Sequence, residues 1–333
     1  MKLTIAIPTY NRNEILKANL ELLLPQVSTN CKLLILDNCS DVPVEKTITS
    51  LLERYPNVDV QIVRNPYNLG MTANILRCFE LCIDSWLWIL GDDDQIKDGA
   101  VGQILSDTKE HNEFHFISYA WDELSLQRGE KIVTKGVDNF IDSFENVGVV
   151  LFLSTSVYNM NKVSKSISYG NFFQTTYAPH LVILFMSLGD KGKCFLSNKQ
   201  IVVNTGYDTP DELRWNQIFI YQITILLRLP LKPVTISKLK NQLVQLTRVW
   251  TITHFIYVLT YMECGEKSEE KYSILYGDIV RSFFHLDRRV ISRILVLIGY
   301  IVVRHPSIFR PSMGYIYRLA KGKEYKLENN LRI

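Results

Sequence analysis

A chain of 333 residues, 47% hydrophobic and 21% charged, has room for one large domain or two and the composition of a globular protein. A mean hydropathy of +0.03 and the apolar content exclude a disordered chain. The net charge is only +3, and six irregularly spaced cysteines (Cys31, Cys39, Cys78, Cys82, Cys194, Cys264) form no Cys-x-x-Cys pair, which points to a reduced, cytosolic protein.

The first hundred residues alternate strand and helix. Residues 3–7 read as a strand that runs into Pro8 and a polar turn, with no small-residue cleavage site of a signal peptide. Apolar residues at helical spacing over 13–24 stop at Pro25. A strand over 32–36 closes in Asp37-Asn38-Cys39-Ser40, and a helix over 44–55 stops before Pro56. A strand over 58–64, a helix over 71–82 and a strand over 86–90 complete a βαβαβαβ order, which implies a mostly parallel sheet covered on both faces. Beyond it the pattern predicts a helix over 99–110, strands over 114–119 and 131–134, and helices over 140–150, 172–188 and 211–227, with extended chain over 193–203. After Pro233 the chain reads as almost entirely helical. No stretch is long and clean enough for a transmembrane helix; the nearest, 290–303, is short and carries Arg293.

The most informative stretch is the apolar run 86–90, which ends in Gly91-Asp92-Asp93-Asp94. Ligands of open α/β sheets bind beyond the carboxyl ends of the strands. Three carboxylates there repel one another unless solvated or neutralised. Mg²⁺ or Mn²⁺ neutralises such a cluster and is held by one or two carboxylates plus substrate phosphates. The bland alternative is an acidic turn capping the helix that begins near Asp98. Three further loops follow strands and so share that edge. Pro8-Thr9-Tyr10-Asn11-Arg12 offers a ring for stacking and polar groups that also suit a helix cap; Asp37-Asn38 is the second; Asn65-Pro66-Tyr67-Asn68-Leu69-Gly70 is the third, followed by Asn74 in the next helix.

Taken together, Pro8-Thr9-Tyr10-Asn11-Arg12, Asp37-Asn38-Cys39-Ser40, Asn68-Leu69-Gly70 and Asp92-Asp93-Asp94 resemble the family-two glycosyltransferases of the GT-A fold. The resemblance covers about the first hundred residues. Length, the Gly-Asp-Asp-Asp form of the motif and a basic tail look most like the bacterial O-antigen abequosyltransferases. It implies a Rossmann-like GT-A domain over 1–230, with a nucleotide-binding half (1–98) and an acceptor half (99–230), followed by a helical basic region over 231–333. It implies transfer of a 3,6-dideoxyhexose from a CDP-sugar to a polyprenyl-diphosphate-linked oligosaccharide, with Mg²⁺ or Mn²⁺ bound by Asp92 and Asp94.

By the same resemblance the loop residues Pro8 to Arg12, Asp37, Asn38, Asn68, Gly70 and Asn74 hold the nucleotide, and Asp92 to Asp94 serve the metal and ribose in a register that the triplet leaves open. Many relatives carry a second Asp at the place of Asn38. An amide there can donate to cytosine N3, which suits a CDP-sugar. The acceptor-activating carboxylate of inverting relatives has no clear counterpart; Asp190, Asp208 and Asp211 are candidates, and a retaining enzyme would not need it in the same place. His180, beside an apolar run, is either a core residue or a hydrogen-bond partner of sugar or acceptor. Trp121-Asp122-Glu123 is either a surface turn or part of the acceptor cleft. Alternatives are another donor sugar (tyvelose, paratose or rhamnose) or a nucleotidyltransferase, although the Gly-rich loop and Lys of the latter are absent near the first strand.

Residues 281–333 carry 11 basic against 3 acidic side chains, a balance of +8 among interleaved apolar residues. That pattern suits an anionic membrane surface, and with a lipid-linked acceptor it predicts a peripheral protein at the cytoplasmic face of the bacterial inner membrane. A nucleic-acid partner is not expected, because it would leave the acidic cluster unexplained.

Overall fold

The computed structural model describes residues 2–120, 132–144, 147–203 and 222–246, together with 290, 293, 294, 297, 298, 301 and 305. The chain divides into two compact units: residues 1–208 with 229–239, and residues 209–228 with 240–333. The first unit opens with β1 (Leu3–Thr9), α1 (Asn13–Leu23), β2 (Cys31–Asp37), α2 (Val44–Leu52), β3 (Asp59–Arg64), α3 (Met71–Leu81) and β4 (Trp86–Ile89). It continues with β5 (Gln95–Ile96), α4 (Ala100–Glu110), β6 (Phe116–Ala120), β7 (Ile132–Lys135) and α5 (Val137–Asp142). The last elements are β8 (Ser156–Asn159), α6 (Met160–Val163), α7 (Ile167–Phe172), α8 (Pro179–Leu188), β9 (Lys193–Gln200) and β10 (Val202–Val203).

Eight strands form one sheet in the order β3-β2-β1-β4-β8-β6-β9-β7, and β5 pairs with β10 in a second, two-stranded ladder. β3, β2, β1 and β4 are mutually parallel, as are β6 and β9; β8 runs antiparallel to both β4 and β6, and β7 to β9. The apolar runs of the first strands are continuous because both faces are covered. Leu3, Ile5, Ile7, Leu33, Ile35, Trp86 and Trp88 pack with Leu16 and Leu20 of α1, Ile48 of α2 and Ile104 of α4. The alternating set, including Leu34, Leu36, Leu87 and Ile89, is buried on the opposite face, where α3 lies against β1, β2 and β4 and is backed by α7 and α8.

Register decides what meets at the carboxyl edge. Thr9 lies opposite Asp37 and Asp37 opposite Arg64. The ladder runs one step further, Asn38 N–H donating to Thr9 O at 2.9 Å and Asn65 N–H to Asp37 O at 2.8 Å. Leu90 N–H donates to Ala6 O, so the acidic triplet emerges beside Thr9.

The later part of the chain departs from the sequence pattern in three places. The helix expected over 140–150 is instead α5 followed by a single 3-10 turn, Val147–Val150. The helix expected over 172–188 is broken. α7 ends at Phe172, Tyr177 adopts left-handed φ (57°), and α8 begins at Pro179, a residue that fits the first helical position but not a helix interior. β8 has no counterpart in the predicted elements. Of the helix expected over 211–227, Gln222–Arg228 is 3-10 helical, and the remainder lies outside the described residues. Residues 233–246 are helical as expected.

Candidate active site

The first loop is tied to the second by reciprocal contacts. Asn11, in the left-handed region at φ 54°, takes Ser40 Oγ as acceptor for its backbone N–H (2.9 Å). Its side-chain oxygen accepts from Asp41 N–H (2.8 Å) while its amide donates to the Asp41 carboxylate (3.1 Å). Cys39, next to Ser40 on the second loop, is also left-handed at φ 67°. Such conformations in non-glycine residues persist only where the surroundings hold them, and they concentrate at functional sites. Asn11 therefore stitches two loops rather than capping α1. Arg12 occupies the cap position and makes no side-chain cap.

Asp37 is 1% exposed. One carboxylate oxygen accepts from Ser40 N–H (2.8 Å), the other from Val44 N–H (3.3 Å) and Arg64 Nη1 (2.5 Å). Burial alone would raise this carboxyl; the Ser40 and Val44 N–H groups and Arg64 outweigh it and leave it below its ordinary value. The side chain expected beneath the nucleotide thus turns into the protein. Asn38 sits at the centre of an amide network that joins the second and third loops. Its oxygen accepts from Asn65 Nδ2 (2.9 Å) and Leu69 N–H (3.0 Å), and its amide donates to Asn68 Oδ1 (2.8 Å). Asn65 Nδ2 also donates to Asn74 Oδ1, Asn74 Nδ2 donates to Leu36 O, and Gly70 N–H donates to Asn68 Oδ1. Gly70 holds φ 83° at the entrance to α3, a conformation that suits glycine. The large apolar side chains exposed on the first and third loops are Tyr10 and Tyr67, with Leu69 beside the latter.

The acidic triplet is gathered from several directions. Asp92 accepts from Thr9 Oγ1 at 2.6 Å and from Arg12 Nη1 at 3.1 Å, and its carbonyl accepts from Asn19 Nδ2 of α1 at 2.6 Å. Asp93 takes the same guanidinium at 2.6 Å. Asp94 Oδ2 accepts from Ser154 Oγ at 2.5 Å; its Oδ1 accepts no hydrogen bond among the described residues. Burial raises Asp92, with Thr9 and Arg12 only partly offsetting it. Burial raises Asp94 to about 6, helped by the charges of Asp93 and Asp92 and opposed by Ser154. The triplet is no helix cap: α4 starts later, with Gly99 at its cap position and no side-chain cap. Asn19 and Ser154 carry no sequence signal that would have marked them.

The remaining candidates are scattered. His180 is fully enclosed in α8, and burial holds it neutral, lowered to about 3, with the backbone at Leu151 and Val150 offsetting little. Neither ring nitrogen has a hydrogen-bond partner in normal geometry among the described residues. Asp190 is exposed and paired with Lys232 at 2.6 Å. Asp208, Asp211 and Trp121-Asp122-Glu123 lie outside the described residues.

Comparison with known proteins gives this arrangement a context. Residues 4–151 match the sequence profile of Glycosyl transferase family 2. An uncharacterized glycosyltransferase of Haemophilus influenzae is 26% identical over 136 residues, 41% of this chain and 44% of that protein, so the match spans under half of the relative. The fold is similar to that of S. aureus TarS residues 1–349, at a TM-score of 0.59 and 12% identity over 98% of this chain and 93% of that one, a protein also solved with UDP-GlcNAc. It is also similar to a mannosyltransferase from Pyrobaculum calidifontis solved with GDP-Man and Mn²⁺, at a TM-score of 0.52 and 10% identity over 98% of this chain and 88% of that one. The parallel strands β3-β2-β1-β4 with the acidic loop at their carboxyl edge form a GT-A fold, and residues 4–151 of it are similar in sequence to the family-two glycosyltransferases.

Proposed function

We propose that the protein is a metal-dependent glycosyltransferase that moves abequose, a 3,6-dideoxyhexose, from CDP-abequose to a mannose-containing, polyprenyl-diphosphate-linked oligosaccharide in O-antigen synthesis. The observation that carries the metal-dependent transfer is the burial of Asp92 and Asp94 beside one another at the carboxyl edge of the sheet. Arg12 bridges Asp92 and Asp93, Asp94 is held by Ser154, and burial raises both Asp92 and Asp94. Among the described residues no three His, Cys, Asp or Glu side chains could hold a metal ion by themselves. The carboxylate oxygens of Asp92 and Asp94 are hard donors of the kind Mg²⁺ or Mn²⁺ takes, and diphosphate oxygens would have to complete the set. Asp94 is the residue to hold it, since one oxygen is fixed by Ser154 and the other is unengaged; Asp92 is the second, at the price of its contact with Arg12. When bound, the cation supplies neutralisation of the charge that builds on the nucleoside diphosphate leaving group. Around it, Arg12 offers a positive charge to the same phosphates, Tyr10 offers an exposed ring to the base, and the stitched loops keep the donor cradle ordered.

The dideoxyhexose and the cytidine rest on the sequence resemblance and on Asn38. Its amide has two N–H groups and Asn68 takes one, leaving one for an acceptor such as cytosine N3. The nucleotide is tested by calorimetric titration with CDP and UDP in the presence of Mn²⁺. CDP is expected to bind more tightly; equal or reversed affinity overturns the abequose donor and leaves tyvelose, paratose and rhamnose transferases to a screen of nucleotide sugars.

The reading extends to the membrane. No helix among the described residues is long and apolar enough to cross one. Val290, Ile294, Leu297, Ile298 and Ile301 are helical and roughly half or more exposed, a spacing that places them on one face within the basic stretch 281–333. Docking there predicts co-sedimentation with anionic but not neutral vesicles, weakened by high salt. A folded protein that ignores anionic vesicles at low salt sinks this part of the proposal.

A further inference from the structure

Ser154 stands just before β8, within the region expected to serve the acceptor, yet its hydrogen bonds among the described residues run to the acidic loop and its strand. It is fully buried. Its carbonyl accepts from the indole N–H of Trp88 in β4 at 2.8 Å, which fixes the backbone of residue 154 against that strand. Its hydroxyl oxygen accepts the backbone N–H of Gly91 at 2.7 Å and donates to Asp94 Oδ2 at 2.5 Å. A serine hydroxyl has one proton and two lone pairs. With Gly91 supplying a donor to the oxygen, the proton is directed to the carboxylate, so the direction of the bond is set by the fold. Gly91 contributes a second constraint of a different kind. A Cβ built there would collide with Asp94 Oδ2 and crowd Asp93 Oδ1. The carboxylate of Asp94 lies in the space that a side chain would fill, closed by the turn from Asp94 N–H to Gly91 O at 3.3 Å.

We propose that Ser154 is a positioning residue for the metal site: it clamps one oxygen of Asp94 over Gly91 and thereby presents the other to the cation. The proposal rests on the metal-dependent reading above. An outer partner of this kind orients a ligand, and its loss lowers metal affinity without removing a ligand.

The test measures Mn²⁺ binding by loss of the free-ion electron paramagnetic resonance signal, with CDP and separately with UDP present. It compares wild type, Ser154→Ala, Asp94→Asn and the double variant, each first checked for folding by circular dichroism and thermal melting. Ser154→Ala is expected to weaken Mn²⁺ binding roughly 10- to 100-fold. The double variant is expected to bind no more weakly than Asp94→Asn, because Ser154 acts through that carboxylate. Transfer by Ser154→Ala should recover as Mn²⁺ is raised to saturation, a rescue that a general packing defect would not show. Unchanged Mn²⁺ affinity in Ser154→Ala, or equal losses from removing Ser154 in the presence and absence of Asp94, overturns the assignment. If wild type retains no Mn²⁺ with either nucleotide, the metal-dependent reading itself falls and takes this inference with it. Should Ser154→Ala not fold, Ser154→Cys, which fills the volume but donates weakly, enters the same cycle.

Discussion

Asp37 and Asp94 stand at the carboxyl ends of β2 and β4, on either side of β1, and both are almost wholly buried. Asp37 is met by two backbone N–H groups and a guanidinium, and its carboxyl lies below the ordinary value. Asp94 is met by one hydroxyl and two neighbouring carboxylates, and its carboxyl is pushed up to about 6. Residue type and location on the sheet are the same. What differs is whether the fold itself supplies the compensating charge. A carboxylate that the protein satisfies holds two loops together, whereas one that it leaves wanting is available to a ligand.

The sharpest way to break this contrast is to remove each charge. Asp94→Asn is expected to cost transfer about a thousandfold or more, about 4 kcal/mol on the barrier, while raising the melting temperature of the chelator-treated protein at neutral pH. Asp92→Asn should lose activity similarly. Full turnover in metal-titrated buffer, or a loss of stability in place of a gain, would erase the distinction. Asp37→Ala should do the reverse and act through the fold. Unfolding in urea is expected to show a loss of about 3 kcal/mol, the low end for a broken buried pair because Arg64 reaches solvent. Arg64→Gln, which leaves both N–H donors on Asp37, should cost only about 1 kcal/mol.

The smallest effect is the response to pH. Between about pH 4 and pH 6 the unfolded chain ionises Asp94, from its ordinary 3.8, while the folded chain keeps it protonated. At this site the unfolded state then binds fewer protons, and the contribution of Asp94 to the stability of the metal-free protein falls as pH rises through this window. Asp37 acts in the opposite sense. Its contribution is complete above 3.8 and is lost as pH falls through its lower folded value. Buried, neutral His180 adds a rise with pH over the same range, so Asp94 is read as a difference: in chelator, the melting temperature of Asp94→Asn should gain on wild type as pH rises from 4 to 6. A difference between wild type and Asp94→Asn that stays constant from pH 4 to 6 would contradict the assignment for Asp94.

The first four strands and their four loops were legible because a strand buried on both faces leaves an uninterrupted apolar run, and because turn residues mark where it ends. What the loops do with their side chains was less so. Asp37 turns inward because the β2–β3 register sets it opposite Arg64, a pairing across 27 residues that no local pattern encodes. Asn19 is an ordinary polar residue of an amphipathic helix until the packing of α1 carries it to Asp92 O, 73 positions away. β8 is only four residues long and alternates too briefly to be read, and Ser154, with it, was invisible. The break before α8 had a readable signal in Pro179, but the apolar residues on either side of it outweighed that signal as a helical pattern.

The pairing of β5 with β10 has a consequence for how the molecule comes to be active. The acidic loop is held on its far side by Val202 and Val203, opposite Ile96 and Gln95, and from beneath by Ser154, 60 residues beyond Asp94. Closing such long stretches of chain is slow relative to forming the local βαβ units. A nascent chain or a fragment ending near residue 98 would thus contain every recognisable motif and still lack the architecture around Asp94. Supplying residues 99–239 in trans to such a fragment is the direct way to see whether activity is the last property this fold acquires.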